Sequence, residues 1–129
     1  MFGLQDYEPH PQLSAQEVVM IQLDALQNND LLHDDTGVKI FWRFTSPANR
    51  KAIGAMHEFI KLLKWTDYEH FIGFERAELD PMILKKHMAR QRARLLHRDG
   101  DRAFLFLLSK QMSEPFVNCW MTDSILKAN

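Results

Sequence analysis

The chain has 129 residues, of which 46% are hydrophobic and 26% charged, and its formal net charge is −1. A soluble chain of this length forms one domain with its own core, and the composition excludes a disordered, collagen-like or coiled-coil protein. The near-zero charge excludes an overall field that would draw the chain onto nucleic acid or an acidic membrane. The single cysteine excludes an intrachain disulfide and predicts a reducing intracellular compartment, the cytoplasm or an organelle interior. No apolar run approaches the roughly 20 residues that span a bilayer, so no membrane span is expected.

Residues 1–12 are predicted to form an N-terminal arm, followed by one domain over 13–127. Two prolines favour an extended backbone in the arm, which lacks the positive charges of a secretory signal. Two interpretations stay open: a frayed tail, or an arm whose Phe2, Leu4 and Tyr7 dock onto the domain or a partner.

The first helix is predicted over 14–28. Ser14 and Glu17 have the spacing of a capping box, and apolar residues follow at helical intervals. The next apolar stretch, 38–44, is ambiguous, because its residues alternate as in a strand and also fit two turns of a helix.

A second helix is predicted from Pro47 to about Lys64. Ser46 provides an N-cap and proline suits the first helical position, while Gly54 weakens the helix. A short strand over 74–80 follows after a connector.

The clearest β signal lies in the second half of the chain. Strands are predicted over 87–98 and 102–110, joined at Asp99-Gly100, a preferred pair for a two-residue type I′ turn. A last strand is predicted over 118–126. Helices followed by antiparallel strands predict an α+β domain, with the N-terminal helices packed on one face of a curved sheet.

The two-residue turn would set the register of this hairpin, so that Arg94 opposes Leu105 and Arg92 opposes Leu107. One face of the hairpin then carries Ala93, Leu95, Phe104, Phe106 and Leu108 and is assigned to the core. The other face, which we name the arginine–leucine face, carries Arg90, Arg92, Arg94, Leu105 and Leu107.

Three interpretations of the arginine–leucine face stay open. It is a solvated face whose arginine stems cover the leucines, or a protein interface, since arginine mixed with apolar groups is typical of interfaces. The third, nucleic-acid binding, rests on seven Lys or Arg against two Asp in residues 85–102. It is the least favoured, because no aromatic residue lies between the arginines and no nucleic-acid-binding motif is present.

The sequence offers no catalytic set, no cofactor site and no metal site. It contains no phosphate-binding loop or nucleophile elbow, and its histidines lack the spacing of metal ligands. Cys119 is interpreted as a small buried hydrophobe. Asp123 would point inward if Met121 and Ile125 face the core, and could then act as a general base. Alternatively, Asp123 faces solvent or holds the start of the second helix.

Four segments of the chain together resemble a family of small domains found in bacteria and photosynthetic eukaryotes. They are Leu-Ser-Ala-Gln-Glu-Val-Val at 13–19, Gln-Leu-Asp-Ala-Leu-Gln-Asn-Asn-Asp at 22–30, Phe-Thr-Ser-Pro-Ala-Asn-Arg at 44–50 and Cys-Trp-Met-Thr-Asp at 119–123. The family is similar to the nuclear transport factor 2-like, or cone-fold, superfamily. The resemblance implies a strongly bent sheet around a central cavity, a helix at 38–44 and dimerisation through the outer sheet face.

Members of that superfamily include isomerases, dehydratases and non-catalytic binding modules, so the fold does not choose the function. We expect a non-catalytic protein-interaction or dimerisation module that uses the arginine–leucine face to bind a partner protein or a second copy. The alternative is a cavity that binds a small apolar ligand or performs an acid–base reaction, with Tyr68, His70 and Asp123 as its pocket residues.

Overall fold

The computed structural model describes residues 7–29, 35–65 and 71–128. Within them the helices precede the strands, which confirms the α+β class. The helices are α1 (Ala15–Gln27), α2 (Thr36–Arg43), α3 (Pro47–Ile53) and α4 (Met56–Trp65). The strands are β1 (Arg76–Leu79), β2 (Ile83–Lys85), β3 (Met88–Leu96), β4 (Arg102–Lys110) and β5 (Trp120–Ala128). No helix within these ranges is both long and apolar enough to cross a membrane.

The strands form one open antiparallel sheet in the order β1-β3-β4-β5, and β2 also pairs with β3. One face of the sheet packs against the helices. On that face Leu95 of β3 and Phe104, Phe106 and Leu108 of β4 are buried in the same core as the apolar residues of α1 and α2. This confirms the apolar face predicted for the hairpin. We call the opposite side of the sheet the outer face.

Helix α1 begins as its capping box predicts. The Ser14 N–H donates to Glu17 Oε1 at 2.9 Å, and the Glu17 N–H donates to Ser14 Oγ at 3.1 Å. The two bonds satisfy N–H groups that a helix start leaves without intrahelical partners. Val18, Ile21 and Leu26 are then fully buried, so the apolar stripe of α1 faces the sheet and α2.

The ambiguous stretch 38–44 is helical: it supplies most of α2, and Phe44 is the C-cap of that helix. Val38 and Phe41 are buried on the side of α2 that meets α1. The contact is close at Gly37, where an added Cβ would lie 2.0 Å from the Ala25 carbonyl oxygen. Tertiary packing therefore selects the helical alternative that periodicity left open.

The predicted second helix is divided into α3 and α4. Gly54 has φ 105° and ends α3, with its N–H donating to the Arg50 carbonyl at 2.8 Å. A helix cannot continue through that backbone conformation, which glycine adopts without the steric cost of a side chain. The prediction of one helix to about Lys64 was therefore wrong at Gly54.

The register of the β3–β4 hairpin differs by two residues from the prediction. Arg94 opposes Ala103, and Arg92 opposes Leu105. The connection is longer than a two-residue turn: the Gly100 N–H donates to the His97 carbonyl at 2.9 Å, and His97 Nδ1 accepts from the Asp99 N–H. Because side chains alternate with a period of two, a shift of two leaves every residue on its predicted face.

The described part of the N-terminal arm docks onto the domain. Tyr7 packs against the core, and its carbonyl accepts from Arg43 Nη1 at 3.2 Å. Arg43 also lies 3.4 Å from a carboxylate oxygen of Glu8. Phe2 and Leu4, the other apolar residues of the predicted arm, lie outside the described residues.

Candidate functional site

The five residues of the arginine–leucine face lie together on the outer face of the sheet. Arg90 opposes Leu107 and Arg92 opposes Leu105, so arginines of β3 stand beside leucines of β4. Both leucines are half-buried. The structure therefore brings together every residue that the sequence assigned to this face.

Two of the three arginines are paired with carboxylates. Arg94 lies 2.8 Å from Asp101 and 3.6 Å from Glu78, and Arg92 lies 3.7 Å from Asp80. Arg90 has no ion pair within the described part of the chain. These contacts are largely exposed, so each adds at most about 1 kcal/mol to stability. They neutralise much of the local positive charge, which argues against phosphate recognition by the centre of the face.

Large apolar side chains extend this face beyond its five predicted residues. Leu126 of β5 opposes Leu105 and is 46% exposed. Ile83 of β2 opposes Arg90, and Met88 begins β3 on the same side. The sequence analysis missed Ile83 because it predicted no strand at β2, and it did not assign Met88 to this face although its predicted strand over 87–98 includes that residue. Continuing the alternation of the arginines back to Met88 would have identified that residue.

A small cavity lies on the other side of the sheet, between α2, α3, α4 and β5. Its volume is about 150 Å³, close to that of cavities that hold a benzene-sized molecule. The lining is Phe41, Ile53, Phe59, Leu62, Leu63, Phe71 and Ile125, with Thr45, Asn49 and Ser124 as its polar members. Tyr68 and His70, the predicted pocket residues, lie outside the described residues.

Asp123, the third predicted pocket residue, occupies a β-bulge. Leu107 pairs with Ser124 and Leu108 pairs with Thr122, so Asp123 is the extra residue of β5. The bulge places Met121 and Ile125 on opposite faces of the sheet, and the premise that they share the core face was wrong. Asp123 is half-buried and is not among the residues that line the cavity.

The start of α3 is held by Thr122, which immediately precedes Asp123. The Thr122 carbonyl accepts from the Ser46 N–H at 2.9 Å and from Asn49 Nδ2 at 3.4 Å. The Thr122 N–H donates to the Phe44 carbonyl at 2.8 Å. These bonds fix the chain at the bulge, and they are the structural role that the sequence analysis considered for Asp123.

Arg50 joins α3 to the end of α2. Its Nη2 donates to the carbonyls of Trp42 and Arg43 at 2.9 and 3.0 Å, which are among the carbonyls that a helix end leaves without intrahelical partners. The guanidinium also lies over the rings of Trp42 and Phe116. Burial lowers the pKa of Arg50 from its ordinary value. The Ser-Pro-Ala-Asn-Arg segment therefore has a structural function here.

Replacing Arg50 by methionine should lower the free energy of unfolding by about 1.5 kcal/mol, because it removes two charge-assisted hydrogen bonds and the ring contacts. Urea unfolding followed by circular dichroism measures the change. Lys51→Met, at an exposed neighbour on α3, is the control and should change stability little. Equal effects of the two substitutions would contradict the bridging role of Arg50.

The described residues show no group of three or more His, Cys, Asp or Glu side chains placed to hold a metal ion. Cys119 is buried. That burial and the nearby Glu114 carboxylate raise the pKa of its thiol, which lowers its thiolate fraction and its reactivity. The structure thus agrees with the interpretation of Cys119 as a small hydrophobe.

The arginine–leucine face and the cavity are thus two features of the described chain that its own packing does not explain, and Asp123 belongs to neither. Comparison of the chain with protein-family models, with curated proteins and with solved structures gave no match.

Proposed function

We propose that this protein is a non-catalytic binding module that associates with a second copy of itself through the outer face of its sheet. One observation carries the proposal: Leu105, Leu107 and Leu126 lie side by side on the outer face, where Leu126 is 46% exposed and the other two are half-buried. Contiguous apolar groups on an exposed face are typical of interaction sites.

The arrangement of charge on the outer face favours a second copy as the partner. The leucines lie on β4 and β5, whereas the arginines and their carboxylate partners lie towards β3 and β1. A two-fold axis over β4 and β5 would bring the leucines of two copies together. The charged groups would then form the rim, where water and counter-charges remain accessible. An apolar centre with an arginine-containing rim has the usual composition of a protein interface.

The sequence resemblance supports the same surface. Members of the nuclear transport factor 2-like superfamily often dimerise through the outer sheet face, and we propose that this chain is a cone-like domain of that kind. An open antiparallel sheet with helices on one face is compatible with the proposal. The resemblance and the apolar surface are independent lines of support, because strand register alone places Leu105, Leu107 and Leu126 side by side.

Replacing Leu126 by glutamate should raise the dimer dissociation constant by about tenfold or more, because it places a charge at the apolar centre of the interface. Analytical ultracentrifugation over a concentration series measures this change. The matched control is Met20→Glu on α1, since Met20 and Leu126 are 42% and 46% exposed. Circular dichroism checks that both variants fold. A wild-type protein that stays monomeric at every concentration would refute the proposal.

The cavity supports a second candidate function, binding of a small apolar ligand. The carrying observation is its aromatic lining with a few polar groups, the usual composition of ligand sites. Its volume of about 150 Å³ suits a single ring. Phenol titration followed by chemical shifts of the lining residues tests this function, and Ile125→Trp, which enlarges a lining side chain on the core side of the sheet, should abolish the shifts. Shifts that persist in that variant would place the binding elsewhere.

A further inference from the structure

The hairpin formed by β2 and β3 ends in a tip whose residues are all exposed, although β4 pairs with its β3 side at Met88. Every residue from Ile83 to Met88 is exposed, and Lys86-His87 forms the connection, since Lys85 pairs with Met88. Three large apolar side chains are included: Ile83 is 53% exposed, Leu84 62% and Met88 55%. We call residues Ile83–Met88 the hairpin tip.

The apolar side chains of the hairpin tip lie on both faces of the sheet. Ile83 opposes Arg90 and therefore lies on the outer face, as does Met88. Leu84 opposes Ala89 and lies on the helix side, where it is nevertheless 62% exposed. A protein docked flat on the outer face would cover Ile83 and Met88 but leave Leu84 in water. A medium that surrounds the tip would cover all three.

Positive charge accompanies these apolar groups. Residues 81–98 contain six Lys or Arg and no Asp or Glu. Arg92 and Arg94, which lie away from the tip, are paired with carboxylates from other strands. Lys85 and Lys86 at the tip, and Arg90 beside it, have no ion pair with any described residue. Arg98, after the far end of β3, likewise has no ion pair with a described residue, so three of the four cations of this segment without an ion pair lie at the tip or beside it, where the apolar side chains are most exposed.

One residue of the hairpin tip, Lys86, is a cation in a backbone conformation that suits glycine. Lys86 has φ 56°, the left-handed conformation that costs a residue with a side chain some free energy. Glycine would avoid this cost. Strain of this kind is frequent at functional positions. Here the strained residue is the one that places an ammonium group at the end of the tip.

We propose that the hairpin tip binds the surface of an anionic lipid bilayer. The ammonium groups of Lys85 and Lys86 and the guanidinium of Arg90 lie against headgroup phosphates, while Ile83, Leu84 and Met88 enter the boundary between headgroups and acyl chains. This combination of cations with aliphatic side chains is the usual chemistry of peripheral membrane attachment. Single-stranded nucleic acid would require aromatic platforms for its bases, and residues 81–98 contain no Phe, Tyr or Trp.

The proposal does not depend on dimerisation, because the hairpin tip adjoins the leucines of β4 and β5 but shares no residue with them. A dimer would present two tips, and simultaneous engagement would strengthen attachment without any new contact. The test therefore uses protein at concentrations where ultracentrifugation shows one oligomeric state for all variants.

The experiment is co-sedimentation of the full chain with vesicles of phosphatidylcholine alone or mixed with phosphatidylglycerol. We expect binding to the mixed vesicles only, weakening as salt is added. Leu84→Ser and the double variant Lys85→Glu/Lys86→Glu should each lower the partition coefficient by about tenfold or more. The matched controls are Met20→Ser on α1 and Lys51→Glu on α3, which are exposed residues away from the tip and should leave it unchanged.

Lys86→Gly separates membrane binding from folding. It should raise the melting temperature, because it relieves the left-handed backbone, and at the same time lower partition into mixed vesicles. Absence of binding to mixed vesicles at low salt would overturn the proposal. So would equal losses in the control variants. Binding that Leu84→Ser leaves unchanged, together with equal affinity for duplex DNA, would show general attraction to polyanions and would also overturn it.

Discussion

Replacing Gly37 by alanine should lower the free energy of unfolding by about 3 kcal/mol or more. The added Cβ would lie 2.0 Å from the Ala25 carbonyl oxygen, 2.9 Å from its carbonyl carbon and 2.8 Å from the Asn29 Cβ. Two of these three atoms belong to the backbone of α1, so no side-chain rotation can make room. The helices α1 and α2 would have to separate, which would loosen a core that includes Val38 and Phe41.

Denaturant unfolding measures this loss, and Gly73→Ala is the matched control. An added Cβ at Gly73 would meet nothing within 4 Å, although its φ of 69° would impose a conformational cost of about 1 kcal/mol. The two substitutions add the same methyl group, so their difference isolates the contact between α1 and α2. Similar losses at both positions would contradict the close packing at Gly37.

The start of α2 also depends on Asn29, a residue that follows α1. Asn29 accepts from the Val38 N–H through its Oδ1 at 2.9 Å and so satisfies one of the N–H groups at the start of α2. Asp35, the residue at the N-cap position, makes no such side-chain bond. The helix that sequence periodicity could not distinguish from a strand therefore depends on a side chain nine residues earlier.

Local signals in the sequence predicted the elements whose stabilising contacts are themselves local. The capping box of α1 and the Ser46 cap of α3 involve residues three positions apart, and both are present. The faces of β3 and β4 were also predictable, because alternation depends only on neighbouring residues. The register was not, since a shift of two preserves the alternation that the prediction used.

The bulge at Asp123 shows why the predicted pocket could not be obtained from alternation. Its position is set by two hydrogen bonds of Thr122, one donated to the Phe44 carbonyl and one accepted from the Ser46 N–H, both residues far away in the chain. One extra residue in β5 reverses the face of everything that follows it. The alternation of residues along one strand does not depend on such distant hydrogen bonds. It therefore places Asp123 on the same face as Met121 and Ile125.

The charge of the arginine–leucine face divides in a way that the sequence did not reveal. The sequence analysis treated the run of basic residues as one surface and left three interpretations of its role open. The structure pairs Arg92 and Arg94 with carboxylates that come from β1, from the residue after it and from the β3–β4 connection. The cations nearer Lys86 are left without ion pairs among the described residues. Two surfaces with different chemistry therefore occupy what appeared to be one basic segment.

Replacing Gln22 by leucine should lower the free energy of unfolding by about 3 kcal/mol. Gln22 is fully buried. Its Nε2 donates to the Phe41 carbonyl at 3.1 Å, and its Oε1 accepts from Thr122 Oγ1. One side chain thereby connects α1 to α2 and to the residue beside the bulge of β5. Leucine has a similar volume, so the loss comes from polar groups left without partners rather than from a cavity.

The double variant Gln22→Leu/Thr122→Val distinguishes this origin from a packing defect. Thr122→Val alone removes the donor and leaves Gln22 Oε1 buried without a partner, which should cost about 1–2 kcal/mol. Both changes together replace the polar pair by apolar groups, so the double variant should be more stable than the sum of the single losses predicts, by about 1 kcal/mol or more. Urea unfolding of the four proteins gives the coupling energy. Additive losses would mean that Gln22 and Thr122 stabilise the chain independently, and that the bond between them does not hold the bulge to α1.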